Sequence, residues 1–286
     1  MVNYILYHFQ WSLFSLMARY TIALRGKAAS PEAEMKIEEK SIDLHRDENL
    51  SEQYLLEVNP KGQVPTLTSA TLSTPLTNTL EITYLIDNRY PSLIPAPHRS
   101  TIEDLLVKLH AIQPLSLSIP PPENRSEGIP NPAIGQYLSQ PGISDAWRNA
   151  LMYKQDFHAK TLLRALDDEP IKRAEEQARR FLEDVRQQYF MHGGETWVFG
   201  DAVGATALDA HTIPFVARLI DAGRTDLIPE DVRKYAEKAM SQAEWQNITN
   251  GKPTMFEIWL KSMRKDYASM QRDEPFSVWF KRHTQC

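Results

Sequence analysis

The sequence predicts a small α/β domain over residues 1–92, followed by an all-α domain over residues 99–286. Residues 2–9 alternate polar and apolar side chains and are rich in aromatic types, which is typical of a strand. Strand-like and helix-like segments then alternate up to residue 90, as they do in domains built on a mixed sheet. After a turn-rich segment with three prolines at 90–100, the regular segments have helical spacing.

The N-terminal elements are predicted in the order β-α-β-α-β-β-α. Apolar residues from Ser15 onward follow helical spacing, and Gly26 stands where a helix C-cap is expected. A helix over 77–90 opens with the capping residues Thr77 and Asn78 and ends before a proline. The other elements predicted here are strands at 2–9, 40–44, 64–68 and 70–74 and a helix at 51–58.

The C-terminal region is predicted to be helical apart from one long loop. Segment 114–142 contains seven prolines, which interrupt helices because each one lacks a backbone N–H, so a proline-rich loop is expected there. On either side of this loop, the spacing of apolar residues predicts helices at 100–112, 145–167, 171–190, 206–223, 229–245 and 253–270.

The composition argues against several classes of function. The net charge is −5 and the basic residues are interspersed with acidic ones, so the chain lacks the basic patch expected of a nucleic-acid-binding protein. The one cysteine is Cys286, which excludes a disulfide framework and a CxxC metal site. Polar residues interrupt the apolar stretches near the N-terminus, so no signal peptide or membrane span is predicted there. We therefore expect a cytoplasmic protein with no metal, no nucleic-acid partner and no membrane segment.

The string NPKGQVPTL at 59–67 is the most specific motif in the chain. Gly62 permits a turn, and Pro65 lies within a short strand, where its ring removes a ladder donor. A cis bond between Val64 and Pro65 would leave the N–H and C=O of Val64 unpaired and facing outward. Backbone groups of this kind can bind a peptide-like ligand as an additional strand.

The strand, the serine-rich turn, the NPxGxVPxL motif and the helix after it together resemble the glutathione S-transferase superfamily. Within it, SLFSLMARYTIALRG at 12–26 is similar to the SSCSxRVRxALxLKG stretch of the zeta class, the maleylacetoacetate isomerases. Phe14 replaces the cysteine of that stretch, and the shared positions include Ser12, Ser15, Arg19, Leu24 and Gly26.

This resemblance implies the glutathione S-transferase fold, with a thioredoxin-like, glutathione-binding domain at 1–92 and an all-helical domain after it. The string TALD at 206–209 also resembles the buried capping box of the family, with Thr206 as the N-cap and Asp209 three residues later. The family commonly forms twofold dimers, so the resemblance implies a homodimer as well.

The resemblance assigns catalytic roles to the serine-rich turn. Ser12 matches the serine whose hydroxyl points at the glutathione sulfur. Ser15 is the second candidate, and its structural alternative is to begin the helix as an N-cap.

The glutathione-binding residues follow from the same resemblance. The backbone of Val64, between Gln63 and Pro65, would hold the cysteinyl part of glutathione. Thr77 and Asn78 stand where the family has Glu or Gln followed by Ser, and they would bind the γ-glutamyl end at a helix N-terminus. Helix capping alone is the alternative for this pair. His45 follows the second predicted strand, where the family often offers a side chain to the glycyl carboxylate.

The pocket for a second substrate lies between the two domains in this fold. The residues expected to line it are His8, Gln10, Trp11, Leu13 and His110. A structural role in the core is the alternative for a lone histidine such as His110.

These features together predict a glutathione-dependent cis/trans isomerase that acts on an activated carbon-carbon double bond of a small molecule, by thiolate addition, rotation and elimination. The proline-rich loop and the long C-terminal tail favour a substrate bulkier than maleylacetoacetate, such as a polyketide-type secondary metabolite. A glutathione S-transferase that conjugates electrophiles is one alternative. A non-catalytic binding or assembly module of the same fold is the other.

Overall fold

A computed structural model describes residues 2–118 and 132–256 of the chain. The first ninety residues contain a three-stranded sheet flanked by helices. Its elements, in chain order, are strand β1 (Val2–His8), helix α1 (Leu13–Leu24), strand β2 (Met35–Ser41), a π-helical turn (Tyr54–Val58), strand β3 (Thr66–Thr68) and helix α2 (Thr79–Asp87).

The sheet is mixed, as the sequence predicts, with β1 between β2 and β3. Strand β2 runs parallel to β1, with Val2 opposite Met35, and β3 runs antiparallel to β1, with Leu6 opposite Leu67. Tyr4 and Leu6 point into the core because alternate side chains of a strand face the same side of the sheet. Strand β1 ends at the turn that leads into α1, so the serine-rich segment directly follows the central strand of the sheet.

One predicted strand is wrong in position and another is absent. The second strand runs from Met35 to Ser41 rather than over 40–44. It lies at the edge of the sheet and exposes Lys and Glu side chains, so it shows little of the apolar alternation from which strands are read. Residues 70–74 form no strand, because Leu72 N–H bonds back to Ser69 C=O in a turn; a single bridge pairs Leu67 with Leu76 instead.

Helix α1 begins at Leu13 and has Ser12 as its N-cap, so the interpretation of Ser15 as the N-cap is wrong. Ser12 has extended backbone angles, and its Oγ accepts a hydrogen bond from the backbone N–H of Ser15 at 3.3 Å. At the other end Gly26 has a φ of 72°, and a Cβ on it would lie 2.7 Å from Ser92 Oγ, so this position requires glycine.

After Asp87 the described residues form helices and turns and contain no strand. The helices, in chain order, are α3 (Arg99–His110), α4 (Leu115–Ser118), α5 (Pro132–Leu138), α6 (Asp145–Thr161), α7 (Asp168–Met191), α8 (Ala207–Asp221), α9 (Glu230–Met240) and α10 (Ala243–Thr249).

The predicted loop at 114–142 therefore contains two short helices. Pro114 stands directly before α4, and its C=O accepts from the N–H groups of Leu117 and Ser118, so a proline begins this helix rather than interrupting it. The predicted helix at 229–245 is divided into α9 and α10 by a turn at Ser241. Residues 119–131, most of the predicted helix at 253–270, and Cys286 lie outside the described residues.

Helix α8 is buried over almost its whole length, and the predicted capping box begins it. Asp209 Oδ2 accepts from the N–H and the hydroxyl of Thr206, at 2.8 and 2.7 Å. The other carboxylate oxygen, Oδ1, accepts from Val198 N–H at 2.9 Å and from the Tyr235 hydroxyl at 2.8 Å. One fully buried carboxylate therefore joins the start of α8 to the preceding loop and to α9.

Replacing Asp209 by alanine leaves these buried donors without an acceptor, so the free energy of unfolding is expected to fall by about 3–5 kcal/mol. Equilibrium unfolding in urea measures the change. The matched control is Glu176→Ala on α7, where the side chain is 69 % exposed and an effect within about 0.5 kcal/mol is expected. A loss below about 1 kcal/mol for Asp209→Ala would show that Asp209 does not organise this region.

Candidate functional site

A cavity of about 420 Å³ lies beside the turn between β1 and α1 and is called the main cavity below. The cavity is bordered by the turn between β1 and α1, the segment at 44–50, the segment before β3, the helical region around α4 and α6, and Arg218 of α8. Of the predicted site residues, it is lined by Trp11, Ser12, Leu13, Gln63 and Val64. Further lining comes from Phe9, Phe14, Leu44, Asp47, Asn49, Leu50, Gly62, Gln113, Pro114, Leu115, Ser118, Lys154, His158, Leu162 and Arg218.

Ser12 presents its hydroxyl to the main cavity at the N-terminus of α1. The oxygen accepts the long hydrogen bond from Ser15 N–H, while the hydroxyl hydrogen has no acceptor among the described residues. The hydroxyl can therefore donate to a ligand without giving up its capping bond. The helix N-terminus beside it also favours negative charge.

Ser15 lies away from the cavity and is fully buried. Its Oγ accepts from the backbone N–H of Phe9 at 3.2 Å, and the N–H of Ser12 donates to the C=O of Phe9 at 2.9 Å. Both bonds hold the turn between β1 and α1. The structure thus gives the two serines different positions: Ser12 faces the cavity, and Ser15 anchors the loop before it.

Arg218 of α8 holds the same turn from the other side. Its guanidinium donates to the C=O of Trp11 at 2.7 Å and to the C=O of Thr254 at 2.8 Å. The carboxylate of Asp221 in turn accepts from the N–H and the hydroxyl of Thr254, both at 2.6 Å. The residue before Ser12 is thereby tied to a buried helix.

The segment before β3 exposes the backbone of Val64. The Val64–Pro65 peptide bond is cis, and the C=O of Gln63 accepts from the Tyr54 hydroxyl at 2.8 Å and the Asn59 amide at 2.9 Å. Burial raises the pKa of Tyr54 to about 12, so this hydroxyl stays protonated and remains a donor. Neither the N–H nor the C=O of Val64 is hydrogen-bonded within the described residues. One donor and one acceptor on Val64 thus stand free at the cavity.

Thr77 and Asn78 do not line the main cavity. Asn78 is the N-cap of α2, and its Oδ1 accepts from Leu80 N–H at 2.8 Å and from Glu81 N–H at 3.4 Å. The side-chain oxygen therefore occupies the donors that a helix N-terminus would offer to an anion. The amide nitrogen of Asn78 has no acceptor among the described residues and remains available to a ligand.

His45 and His8 also lie outside the main cavity. His45 is exposed, and its ring packs edge-on against Phe9, with the ring centres 5.0 Å apart. His8 ends β1, with its Nε2 3.5 Å from the carboxylate of Glu39. Burial, and secondarily the charge of Arg19, lowers the pKa of His8 to about 4, so its imidazole is neutral at physiological pH.

The remaining predicted residues are near the cavity but separate from it. Gln10 lines a small crevice that Trp11 also borders, and Pro65 is buried behind Val64. His110 lines a second cavity of about 250 Å³, which shares Phe14 and Gln63 with the main cavity. The ring of Phe14 stacks on that of His110, with the ring centres 5.4 Å apart.

A buried chain of hydrogen bonds leads from His110 into the core. His110 Nε2 lies 2.8 Å from His211 Nδ1, and His211 Nε2 lies 2.9 Å from Thr83 Oγ1. Because the Thr83 hydroxyl donates to the C=O of Thr79 at 2.9 Å, its oxygen accepts from His211 Nε2–H. His211 Nδ1 then accepts from His110 Nε2–H, which leaves His110 Nδ1 without a proton.

Both imidazoles of this hydrogen-bonded pair, His110 and His211, are neutral. Burial lowers the pKa of His110 to about 4. Burial, and secondarily the charge of His110, lowers the pKa of His211 well below its ordinary value. His110 therefore offers a lone pair on Nδ1, rather than a proton, to a ligand in the second cavity.

Lys154 is a site residue that the sequence analysis missed. It lines the main cavity from α6, although its side chain is only 4 % exposed. A signal was present in the sequence: Lys154 stands three residues after the buried Leu151 and seven after Trp147, on the apolar stripe of the helix. A lysine in such a stripe either extends its amine to solvent or serves a site.

Within residues 2–118 and 132–256, no group of three histidine, cysteine or acidic side chains is placed to hold a metal ion. Over the same residues, no helix has both the length and the apolar character needed to cross a bilayer.

Comparison with solved structures identifies the fold. A zeta-class bacterial maleyl pyruvate isomerase in its holo form aligns over 88% of this chain and 99% of its own, with 17% identity and a TM-score of 0.52. Maleylacetoacetate isomerase from Anaeromyxobacter dehalogenans, with bound dicarboxyethyl glutathione and citrate, aligns over 88% and 97%, with 17% identity and a TM-score of 0.54. A glutathione transferase family member from Pseudomonas fluorescens, with two bound glutathiones, aligns over 86% and 92%, with 14% identity and a TM-score of 0.55.

Neither a family model nor a curated protein matches the sequence. At these low identities, the structural likeness establishes the glutathione transferase fold, as the sequence predicts.

The hydrogen bonds from Thr83 to His211 and from His211 to His110 predict that His110 carries its proton on Nε2. Long-range proton–nitrogen correlation spectra are expected to show an unprotonated Nδ1 and a protonated Nε2 between about pH 6 and 8, because Thr83 fixes the direction of both bonds. Thr83→Val removes the last acceptor and should produce a mixture of tautomers at His211. A protonated Nδ1 on His110 in the unmodified protein would contradict the assignment.

Proposed function

We propose that this protein is a glutathione-dependent cis/trans isomerase that acts on an activated carbon-carbon double bond of a small molecule. The observation that carries the proposal is that one cavity is lined both by Ser12, whose hydroxyl hydrogen has no acceptor within the described residues, and by Val64, whose backbone N–H and C=O have no partner there. A thiol-bearing peptide needs these two features: a donor for its sulfur and a strand-like edge for its backbone. Solved proteins of the same fold contain bound glutathione.

The Ser12 hydroxyl is suited to stabilising a thiolate. A free thiol has a pKa of about 8.5 and is only slightly ionised at neutral pH. Lowering that pKa by about two units requires about 2.7 kcal/mol of preference for the anion. One hydrogen bond to a charged group contributes about 1.5–3 kcal/mol, and the N-terminus of α1 adds to it. A hydroxyl at this position is therefore sufficient, and no ionised base is required.

The other residues fit the two ends of the peptide. Val64 offers one N–H and one C=O, as an unpaired strand edge does. The Asn78 amide nitrogen can donate to the γ-glutamyl carboxylate while its oxygen caps α2, and Thr77 stands beside it. We assign these contacts to residues 1–92 as the glutathione-binding domain, with His45 at its rim.

Bound glutathione would supply a thiolate that adds to the activated double bond and leaves again after rotation. The chain's own residues bind and orient the two partners. Gln63 lines both cavities, and its side-chain amide, which has no partner within the described residues, can donate to the carbonyl oxygen that activates the double bond.

The substrate we propose is a polyketide-type secondary metabolite. The main cavity of about 420 Å³ adjoins the second cavity of about 250 Å³, and its walls include Leu13, Phe14 and Leu162. The main cavity is within the usual range for small-molecule sites and the second cavity extends it, so that together they would accept a substrate larger than maleylacetoacetate. We further propose a cytoplasmic homodimer, since glutathione is abundant there and the fold commonly pairs.

A non-catalytic binding module is the second candidate, and the capping role of Asn78 favours it. Its side-chain oxygen occupies the N–H groups of Leu80 and Glu81, which reduces the donors available to the γ-glutamyl end. Retention on immobilised glutathione separates the candidates. If the protein is not retained and does not bind free glutathione at millimolar concentration, the enzymatic proposal is excluded.

The reaction itself is tested by incubating the protein with a conjugated cis enone and a catalytic amount of glutathione. We expect the trans isomer to accumulate while the glutathione concentration stays constant, because each cycle returns the thiol. Chromatography with mass detection measures both. Stoichiometric formation of a thioether adduct would identify a conjugating transferase instead.

Ser12→Ala is expected to lower kcat/KM by about 10- to 100-fold and to raise the pKa of the bound thiol, because the thiolate loses its donor. Thiolate absorbance measured against pH reports the shift. Ser15→Ala is the matched control, since Ser15 lies three residues away and anchors only the turn. Equal thiol pKa values in the two variants would remove Ser12 from its proposed role.

A further inference from the structure

We propose that Lys154, from helix α6, forms a carboxylate-binding position at the floor of the main cavity, which recognises an acid group carried by a ligand in that cavity. The inference rests on the proposed function, because glutathione carries a carboxylate at each end. It concerns a residue in the helical part of the chain, whereas the predicted glutathione contacts all lie in the first ninety residues.

Lys154 lines the main cavity, and contacts with Gly62 and Phe157 fix the position of its ammonium group. The side chain is 4 % exposed, and Nζ donates to the C=O of Gly62 at 3.3 Å. It also lies 5.6 Å from the ring centre of Phe157. A Cβ on Gly62 would come within 3.3 Å of Lys154 Cδ, so the aliphatic stem packs closely against Gly62.

No carboxylate of the described residues pairs with Lys154. Within residues 2–118 and 132–256, no acidic oxygen lies within ion-pairing distance of Nζ, and its one hydrogen bond is the long one to Gly62 C=O. The neighbouring Lys160 of the same helix, although 71 % exposed, pairs with Asp156 at 2.7 Å. Lys108 likewise pairs with Asp104 and Asp184.

A buried ammonium without a carboxylate partner is costly, because the long hydrogen bond to Gly62 and the ring of Phe157, its contacts within the described residues, replace only part of its hydration. Burial also lowers the pKa of Lys154 to about 8, so the amine is mostly protonated at neutral pH. A ligand carboxylate would supply the missing charge and two strong acceptors. The cavity therefore contains a buried cation that no acidic side chain of the described residues neutralises, and a ligand carboxylate can pair with it.

The location of Lys154 limits which acid groups can reach it. Gly62 stands two residues before Val64, and its C=O also accepts from the Asn49 amide at 2.8 Å. A peptide paired with Val64 through its middle residue extends about 3.4 Å per residue to either side. If one end of glutathione meets Asn78, the glycyl carboxylate at the other end can approach Lys154. An acid group on the electrophile in the same cavity is the second source of this chemistry.

Isothermal titration calorimetry with the full chain tests the proposal without relying on activity. Glutathione and its glycyl ethyl ester are titrated into the unmodified protein, Lys154→Met and Lys154→Arg. We expect Lys154→Met to weaken glutathione binding by about 10- to 100-fold and to bind the ester unchanged, while Lys154→Arg retains most of the affinity. The unmodified protein should also bind the ester more weakly than glutathione by the same factor, and this comparison does not depend on the folding of a variant.

Lys160→Met is the matched control, because it removes an exposed cation from the same helix and should leave both affinities unchanged. Thermal unfolding of Lys154→Met confirms folding, and removing an unpaired buried charge is not expected to lower the midpoint.

The electrophile is tested in a second arm. One result is that the unmodified protein and Lys154→Met bind glutathione equally, while Lys154→Met raises KM for an enone carboxylic acid and not for its methyl ester. In that case the carboxylate belongs to the electrophile and the proposal stands.

If Lys154→Met weakens neither the binding of glutathione relative to its ester nor the KM for the enone acid relative to its methyl ester, Lys154 binds no carboxylate and the proposal is overturned. Failure of the unmodified protein to bind glutathione at all is a different result, which contradicts the proposed function rather than the role of Lys154.

Discussion

The buried carboxylate of Asp209 is the constraint from which the geometry of the site follows. It fixes the first turn of α8 by accepting from Thr206, Val198 and Tyr235, and α8 then runs through the core. His211 and Arg218 stand on this helix seven residues apart, which is about two turns and places them on one face. His211 orients His110 at the second cavity, and Arg218 holds the turn before Ser12. One carboxylate thus sets the position of groups in both cavities.

The buried histidines on and near the second cavity carry no charge. His110 and His211 are neutral because burial disfavours the imidazolium, and in the proposed reaction the thiolate is stabilised by the Ser12 hydroxyl and a helix N-terminus. The proposed role of the Lys154 cation is to bind a carboxylate, and it is separate from stabilisation of the thiolate. Such a division lets the affinity for a ligand carboxylate and the reactivity of a thiol be adjusted independently.

The sequence predicted those features that depend on local pattern. Strand β1, helix α1, the capping box at Thr206 and the mixed sheet follow from alternation, helical spacing and capping residues. Strand β2 was placed wrongly because its exposed charges hide the alternation, and Ser15 was misread because two serines three apart both resemble an N-cap. The roles of Lys154 and His211 depend on contacts with Gly62 and His110, about a hundred residues away along the chain, which no local pattern contains.

The protonation state of His110 bears on the choice between isomerisation and conjugation. Conjugation ends with one proton added to a carbon of the substrate, whereas isomerisation adds no net proton. Because Thr83 and His211 commit the Nε2 proton of His110 to the core, the nitrogen left for a ligand is an acceptor. The relay therefore cannot deliver a proton to a substrate carbon in the second cavity, and its low pKa keeps it from acquiring one near neutral pH. In the proposed reaction, a histidine that withholds its proton from the second cavity is consistent with return of the thiol, the outcome that we propose distinguishes this protein from a conjugating transferase.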